Sequence, residues 1–450
     1  MSRTADAEKN NTDAAQDVNA GSVPDTKPGF WQRHIVPMSQ GPLPRNLLFL
    51  LKWMILSVAV GLLLGAVGAG FSSLLGHAAA IRAEHAWIVW LLPAGGLLLV
   101  LLYRVCRVYE DTGTNQIIGS ITHSEDVPLR KAPLIIAGTA ITHLFGGSAG
   151  REGAALQMGG CIGLNIGKAL KCNDSDRHIL TMCGMSAAFA ALFGTPLTAA
   201  FFAMEISSVG VLYYAALVPC ALSALTADAF AAWLGASQDA FFLRTAPAFT
   251  IYHAVVAGVL TILCALLSVL FCSALHRTGH FFRRVFSNPY LRIAAGGAAV
   301  ALLTFASRTT IYNGPGMAVI EEALKGNVPL LAFLLKIVFT SLTMGTGYKG
   351  GEIVPALYVG AAFGCSFARI GGFDPALCGA IGMAALFCGI TNCPISSLLL
   401  CFELFGYAGM PYYLLAIALS YTFSGYYSVY GSQTIVYSKK ENKYVNWHVK

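Results

Sequence analysis

Gly150-Arg151-Glu152-Gly153-Ala154-Ala155 and Gly350-Gly351-Glu352-Ile353-Val354-Pro355 each set one glutamate among glycines inside long apolar sequence. The first is followed by Gly159-Gly160 and the second by Gly360, and the glutamates stand 200 residues apart. A carboxylate in such surroundings is costly and marks a functional position. Two of them at matching places point to a duplicated ion or proton site at membrane depth.

Working outward, the chain is 56% hydrophobic and only 11% charged, whereas a soluble domain carries about 25% charged residues. Apolar runs recur at 46–66, 86–103, 209–235, 250–275, 329–344 and 411–428. Several reach the roughly 20 residues that span a bilayer. Others, such as 132–145 and 353–370, are shorter or broken by Gly and Pro. The 47 glycines suit close helix packing and interrupted helices. The expected fold class is therefore an all-α polytopic membrane protein. A membrane β-barrel is excluded, because its weakly alternating segments of about ten residues are not seen.

The organisation read from this pattern has four parts. Residues 1–45 form a polar N-terminal tail, with 1–28 expected to be disordered, and no apolar segment of the signal-peptide type opens the chain. Residues 46–235 form a first membrane repeat and 250–436 a second, leaving 437–450 as a short basic tail. Lys27, Arg33, Arg45 and Lys52 flank the first span, with no acidic residue between them. That places both tails in the cytoplasm. Arg277, Arg283, Arg284 and Arg292 follow the span at 250–275, so it ends there too. The two halves then have opposite orientation. The net charge of +7 reads as a topology signal and not as a nucleic-acid footprint.

A second repeat supports the duplication. Gly184-Met185-Ser186-Ala187-Ala188-Phe189 leads to Pro196 and Glu205, and Gly382-Met383-Ala384-Ala385-Leu386-Phe387 leads to Pro394 and Glu403. Each Gly-to-Pro step is 12 residues, each Pro-to-Glu step is 9, and the offset is 198. Inverted repeats of this kind build secondary transporters, with the site at the repeat interface near the midplane.

The chemistry of the site follows from the glycines. Gly146-Gly147-Ser148-Ala149-Gly150 and Gly345-Thr346-Gly347-Tyr348-Lys349-Gly350-Gly351 each precede an apolar helical run. Such runs let backbone N–H groups approach a ligand, and helix N-termini favour anions. Inverted repeats would aim both N-termini at one point. The competing reading is that the glycines only allow tight packing. A phosphate-binding Walker loop is excluded, because no Gly-Lys-Ser/Thr follows.

Gly150-Arg151-Glu152-Gly153, with Gln157, resembles the GREGP signature of the CLC family of chloride channels and proton-coupled anion exchangers. Gly350-Gly351-Glu352-Ile353-Val354-Pro355 is similar to that family's GGxFxP signature. Gly194-Thr195-Pro196 and Asn392-Cys393-Pro394 fit as well, and the match covers roughly 46–436. The resemblance implies a CLC-type inverted repeat with tilted and broken helices. It also implies a homodimer with one anion pathway per subunit, in a bacterial inner membrane. Glu152 is then the gating glutamate, which holds an anion position when ionised and leaves it when protonated. Gly150, Arg151, Gly153, Gly351, Ile353 and Val354 carry the anion-binding positions of the two signatures, and Tyr430 stands where the family has an inner-gate tyrosine. Tyr430 is expected just before a final short helix, Gly431 to Tyr437, where an aromatic residue anchoring the interface is an equal alternative.

Within the family, Glu352 replaces a usual apolar residue, and Gly-Gly-Glu-Ile-Val-Pro is similar to the fluoride-exporting branch. Pro128-Leu129-Arg130 and the run from Thr142 to Gly150 resemble that branch too. Gly113, Thr114 and Asn115 occupy the place of the Gly-Ser-Gly-Ile-Pro loop that ordinary members offer to chloride. The proton glutamate of ordinary exchangers aligns with Ile206, one position from Glu205. Against fluoride stands Val354, where the fluoride branch often has threonine. A second glutamate suits fluoride physically: the ion is strongly hydrated, and a protonated carboxyl is a direct donor that replaces lost water.

The expectation is a proton-coupled antiporter that exports fluoride in exchange for protons, with a chloride channel or chloride/proton exchanger of the same fold as the alternative. Glu152 is the outer gate, and Glu352 passes the proton or donates to the ion. Glu205 and Glu403 are expected to be structural or subunit contacts, and His143 to be a packed, hydrogen-bonded histidine rather than a relay. The 12 cysteines, without a CxxC pair, are expected to be reduced, packed thiols. No cofactor, metal site or nucleophile motif was read, so an enzyme using the glutamates as acid and base is the weaker class.

Overall fold

The computed structural model describes residues 42–108, 111–236, 241, 243 and 245–449. The polar tail expected at 1–45 lies almost wholly outside the described residues. The first half contains α1 (Pro42–Glu84), α2 (Leu92–Val105), α3 (Thr114–Thr122), α4 (Lys131–Leu144), α5 (Glu152–Ala169), α6 (Asp174–Phe193), α7 (Pro196–Glu205) and α8 (Leu217–Trp233). The second contains α9 (Ile251–Val285), α10 (Pro289–Ser307), α11 (Met317–Leu324), α12 (Ala332–Thr346), α13 (Ile353–Gly371), α14 (Pro375–Thr391), α15 (Pro394–Phe405) and α16 (Met410–Phe423). Helix by helix, the second set repeats the first in order and kind: one very long helix opens each half and one very short helix stands third.

Among the described residues, six helical stretches are long and apolar enough to cross a bilayer: Asn46–Glu84, Ala86–Val105, Tyr214–Trp233, Ile251–Val285, Pro289–Ser307 and Ile353–Gly371. Large apolar side chains on α1 and α9, such as Ile55, Leu63, Val255 and Leu266, point outward and are exposed. That is the face a helix presents to hydrocarbon, and the chain is an integral membrane protein. The structure differs from the sequence reading in places. α1 runs on to Glu84, well past the span expected at 46–66. The runs at 329–344 and 411–428 form shorter helices, α12 and α16. The segment at 353–370, read as short or broken, is one continuous 19-residue helix, most of it buried. Pro355 does not break it, because it falls in the first turn, where its missing N–H costs nothing.

Glycine contacts seat the duplicated helix pairs. A Cβ on Gly159 of α5 would stand 2.2 Å from the Gly184 carbonyl oxygen of α6. In the second half, a Cβ on Gly360 of α13 would stand 2.4 Å from the Gly382 carbonyl oxygen of α14. Each pair therefore crosses backbone against backbone, an approach open only to residues without a side chain.

Glu205 and Glu403 tie the halves to one another. The Glu205 carboxylate accepts from Ile395 N at 3.2 Å, Ser396 N at 2.9 Å and Ser396 Oγ at 2.5 Å, at the start of α15. The Glu403 carboxylate accepts from Leu197 N at 2.8 Å, Thr198 N at 2.9 Å and Thr198 Oγ1 at 2.6 Å, at the start of α7. Each glutamate stands in the last turn of one short helix and caps the N-terminus of its repeat mate. The orphan amides of a helix start welcome a carboxylate. Glu205→Ala is expected to cost about 2 kcal/mol of stability, the upper range for losing a cap. It should lower the thermal midpoint of the purified protein while leaving ion preference unchanged; an unchanged midpoint would refute the capping role.

A small sheet closes the chain. β1 (Ser208–Val209) runs parallel to β2 (Thr434–Tyr437), and β3 (Tyr444–His448) pairs antiparallel with β2. The helix expected from Gly431 to Tyr437 is thus corrected to a turn and a strand. Thr434-Ile435-Val436-Tyr437 is β-branched and aromatic, and two partner strands supply the hydrogen bonds that a lone helical turn lacks. Residues 444–448, within the stretch expected as a tail, are part of this sheet.

Candidate functional site

The two glycine loops meet. Gly150 N donates to Gly351 O at 2.6 Å and Gly351 N donates to Gly150 O at 2.8 Å, an isolated antiparallel bridge between the halves. α5 starts at Glu152 and α13 at Ile353, so both helix N-termini converge on this crossing. Gly351 has no alternative here, since a Cβ on it would stand 2.4 Å from Gly153 N.

The first loop is held rigidly. Ser148 N donates to Thr343 Oγ1 at 3.0 Å, and Ser148 Oγ lies 3.0 Å from Thr340 Oγ1. Asn313 Nδ2 donates to Gly146 O at 2.7 Å. His143 is buried with its Nε2 3.3 Å from Gly150 O, and Arg82 donates to its carbonyl at 2.6 Å. It is a packed, hydrogen-bonded histidine.

Both glutamates are almost fully buried but they are not equivalent. The Glu152 Oε2 atom accepts from Arg151 N at 3.0 Å, and its Oε1 lies 3.4 Å from Arg151 Nε. The carboxylate is curled back onto the start of its own helix. The Arg151 guanidinium also donates to Ser72 Oγ at 3.1 Å. Glu352 instead lines a cavity of about 640 Å³, together with Gly113, Thr114, Asn115, Gly350 and Tyr430. Its Oε2 lies against Gly153, 3.2 Å from where a Cβ would stand. Gly153 thus lets the carboxyl of one half rest on the backbone of the other.

The remaining predicted positions divide into side-chain and backbone contributors. Tyr430 is fully buried with its phenol beside the Glu352 carboxyl. The Tyr430 hydroxyl has no partner of good hydrogen-bond geometry among the described residues. The segment that carries it is pinned by Val429 N to Ile390 O at 3.0 Å and Tyr430 N to Ser428 Oγ at 3.1 Å. Thr114 Oγ1 accepts from Gln157 Nε2 at 3.1 Å, and Asn115 Oδ1 accepts from Ser432 N at 3.0 Å. Both side chains therefore carry structural bonds as well as facing the cavity. Ile353 and Val354 are fully buried in the first turn of α13, where the backbone amides lack intrahelical acceptors. Arg151 is not brought to this cavity; it stays with Glu152 and Ser72.

Other charged residues on the cavity wall were not read from the sequence as part of the site. Asp111, Arg104, Arg283, Arg292 and Lys349 also line it. Lys349 sits inside the quoted glycine run, and its position directly before Gly350-Gly351-Glu352 was the one available signal. All twelve cysteines are free thiols, eleven of them buried. The described residues contain no cluster of His, Cys, Asp and Glu able to hold a metal ion.

The paired half-helices, the glycine crossing and the embedded glutamates define an anion-transporter architecture. Residues 95–425 match the family described as voltage gated chloride channel, and the chain belongs to that family. It is 34% identical over 398 residues to a chloride/fluoride channel protein of Pseudomonas syringae pv. tomato, covering 87% of this chain and 88% of that relative. It is 26% identical to the H(+)/Cl(-) exchange transporter ClcA of Vibrio cholerae, over 82% and 83% of the two chains. Among solved structures, a CLC-type fluoride/proton antiporter superposes with a TM-score of 0.83 at 31% identity, covering 88% of this chain and 99% of the other. A slow cyanobacterial Cl−/H+ antiporter superposes with a TM-score of 0.72 at 21% identity, over 83% and 94%, a likeness of fold.

Proposed function

We propose that this chain is a proton-coupled anion antiporter that exports fluoride in exchange for protons. The observation that carries the reading is the Glu352 carboxyl at the wall of the cavity, lying on Gly153 and beside Tyr430. A carboxyl at that point serves in two ways. Protonated, it donates a hydrogen bond to an ion that has shed its water; ionised, it holds the place the ion leaves. Glu152, across the glycine crossing, gates the far side. The relatives named as a chloride/fluoride channel and a fluoride/proton antiporter point the same way.

Side chains and backbone share the work in this scheme. Gly113, Thr114, Asn115 and Tyr430 form the anion's approach from the cavity. The amides around Gly150, Gly153, Gly351, Ile353 and Val354 supply the positive ends of two helices. Arg151 holds Glu152 and adds positive charge at the outer mouth. The protein acts as a transporter rather than an enzyme, works as a homodimer in a bacterial inner membrane, and keeps both termini in the cytoplasm. The basic ends of α1 and α9 support that orientation.

One observation favours a second reading, a chloride channel or chloride/proton exchanger. Val354 offers no hydroxyl to the pathway where the fluoride branch often has threonine. Purified protein in vesicles loaded with both halides decides between them, with fluoride and chloride electrodes read beside a pH trace. Fluoride efflux that drives proton uptake supports the first reading. Chloride efflux alone, or halide efflux without proton movement, sinks it.

A further inference from the structure

Lys336 lies on α12 with its side chain fully buried. Its ammonium donates to Tyr312 O at 3.1 Å and to Gly314 O at 2.7 Å, and stands 5.0 Å from the centroid of the Tyr358 ring on α13. Both acceptors belong to the connector between α10 and α11. That connector holds the first glycine loop from behind. Gly314 N donates to Gly147 O at 3.0 Å, and Asn313 Nδ2 donates to Gly146 O at 2.7 Å. Asn313 is itself fixed, because its Nδ2 also donates to Thr304 Oγ1 of α10 at 3.1 Å. The turn at Gly314 admits no side chain: its φ is +62°, and a Cβ would stand 2.9 Å from the Arg82 guanidinium.

Helix geometry adds to this hold. Lys336, Thr340 and Thr343 stand at i, i+4 and i+7 of α12 and so share one face. Thr340 Oγ1 lies 3.0 Å from Ser148 Oγ, and Thr343 Oγ1 accepts from Ser148 N at 3.0 Å. One face of a second-half helix therefore secures a first-half loop at three successive residues, Gly146 and Gly147 through the connector and Ser148 directly. Two residues further on, Gly150 makes its bridge with Gly351 and is followed by Arg151 and Glu152. A displaced loop carries the start of α5 with it. An ionisable side chain at membrane depth is costly and is kept for a task. A charged donor binds a carbonyl about twice as strongly as a neutral one, which suits Lys336 to fixing a connector that has no regular structure of its own.

We propose that Lys336 is a positioning residue for the outer gate. Through the Tyr312–Gly314 connector it fixes the Gly146–Gly150 loop, and so keeps Glu152 where proton and anion movement stay coupled. The proposal rests on the transport reading in giving the gate to Glu152.

The test compares the wild type with K336M, N313A and the double variant, with S366A as a control. Ser366 Oγ bonds Leu330 O at 2.8 Å, late in α13 and away from the loop. Protons moved per fluoride are read from vesicles with a fluoride electrode beside a pH trace. Amide hydrogen exchange across 146–150 is read by mass spectrometry on purified protein. The proton-to-fluoride ratio belongs to working transporters, so it does not depend on how much of a variant stays folded. K336M is expected to lower it about tenfold, within the roughly 100-fold that misplacing a reacting group by about 1 Å can cost. N313A should lower it too, and the double variant should fall no further than the worse single one, because both side chains act along one line. Loop amides should exchange faster in K336M and N313A, whereas S366A keeps the wild-type ratio and loop exchange. A wild-type ratio in both K336M and N313A, faster exchange spread evenly over the chain, or an equal loss in S366A overturns the proposal. Should K336M fail to fold, N313A decides it alone by the same two readouts. Wild-type protein that moves neither halide with protons would sink the transport reading, while loop exchange would still decide whether Lys336 holds the loop.

Discussion

Replacing Glu152 by glutamine is expected to abolish proton movement driven by an anion gradient while leaving the fold intact. Glutamine keeps the shape and can still accept from Arg151 N, which now bonds Oε2 at 3.0 Å. It cannot release or take up a proton. A positioned proton-transfer group contributes on the order of 100-fold or more to a rate, so coupled proton flux should fall by at least that much. Anion efflux should persist, uncoupled, because a neutral side chain no longer competes with the anion for the helix N-terminus. The measurement is simultaneous halide and pH recording from vesicles. Uphill proton movement in this variant at the wild-type rate would remove Glu152 from the mechanism.

Glu352 carries the second large effect, and two substitutions separate its roles. Glu352→Met installs an apolar residue and removes the donor on the cavity wall. The preference for fluoride over chloride is expected to fall by roughly tenfold to 100-fold, matching about 1.5–3 kcal/mol for a hydrogen bond to a charged group. Glu352→Gln keeps an N–H donor near Gly153 and Tyr430 but carries no exchangeable charge. It should retain more of the fluoride preference than the methionine variant while losing proton coupling. Both ratios come from paired electrodes on one vesicle preparation. A methionine variant with the wild-type fluoride-to-chloride ratio would mean that selectivity resides elsewhere, with the Thr114 and Asn115 loop next in line.

The two glutamates were legible in the sequence because charge in apolar sequence is rare and because their surroundings recur at a fixed offset. The convergence of Gly150 and Gly351 was legible for the same reason: an inverted repeat brings matching loops to its axis. The equivalence of Glu205 and Glu403 could be read from equal Gly–Pro–Glu steps, but their partners could not. Each caps a helix about 190 to 206 residues away, and nothing local in sequence encodes which orphan amides a carboxylate will meet. Asp111 and Lys349, 238 residues apart, belong to no repeat and no motif pair. The strand at Thr434–Tyr437 was missed because its partners, Ser208–Val209 and Tyr444–His448, lie in different parts of the chain.

By itself, the sequence determined the membrane class, and it singled out Glu152 and Glu352 as carboxyls set among glycines in apolar sequence. Composition and spacing are local or periodic properties, and they survive without coordinates. Only the tertiary structure decided how the surroundings of the two glutamates differ. Glu152 folds onto its own helix start beside Arg151, whereas Glu352 faces the cavity and Tyr430. That asymmetry arises because the two halves supply different residues around one shared crossing, and which residues surround a buried charge is fixed by packing across the repeat interface.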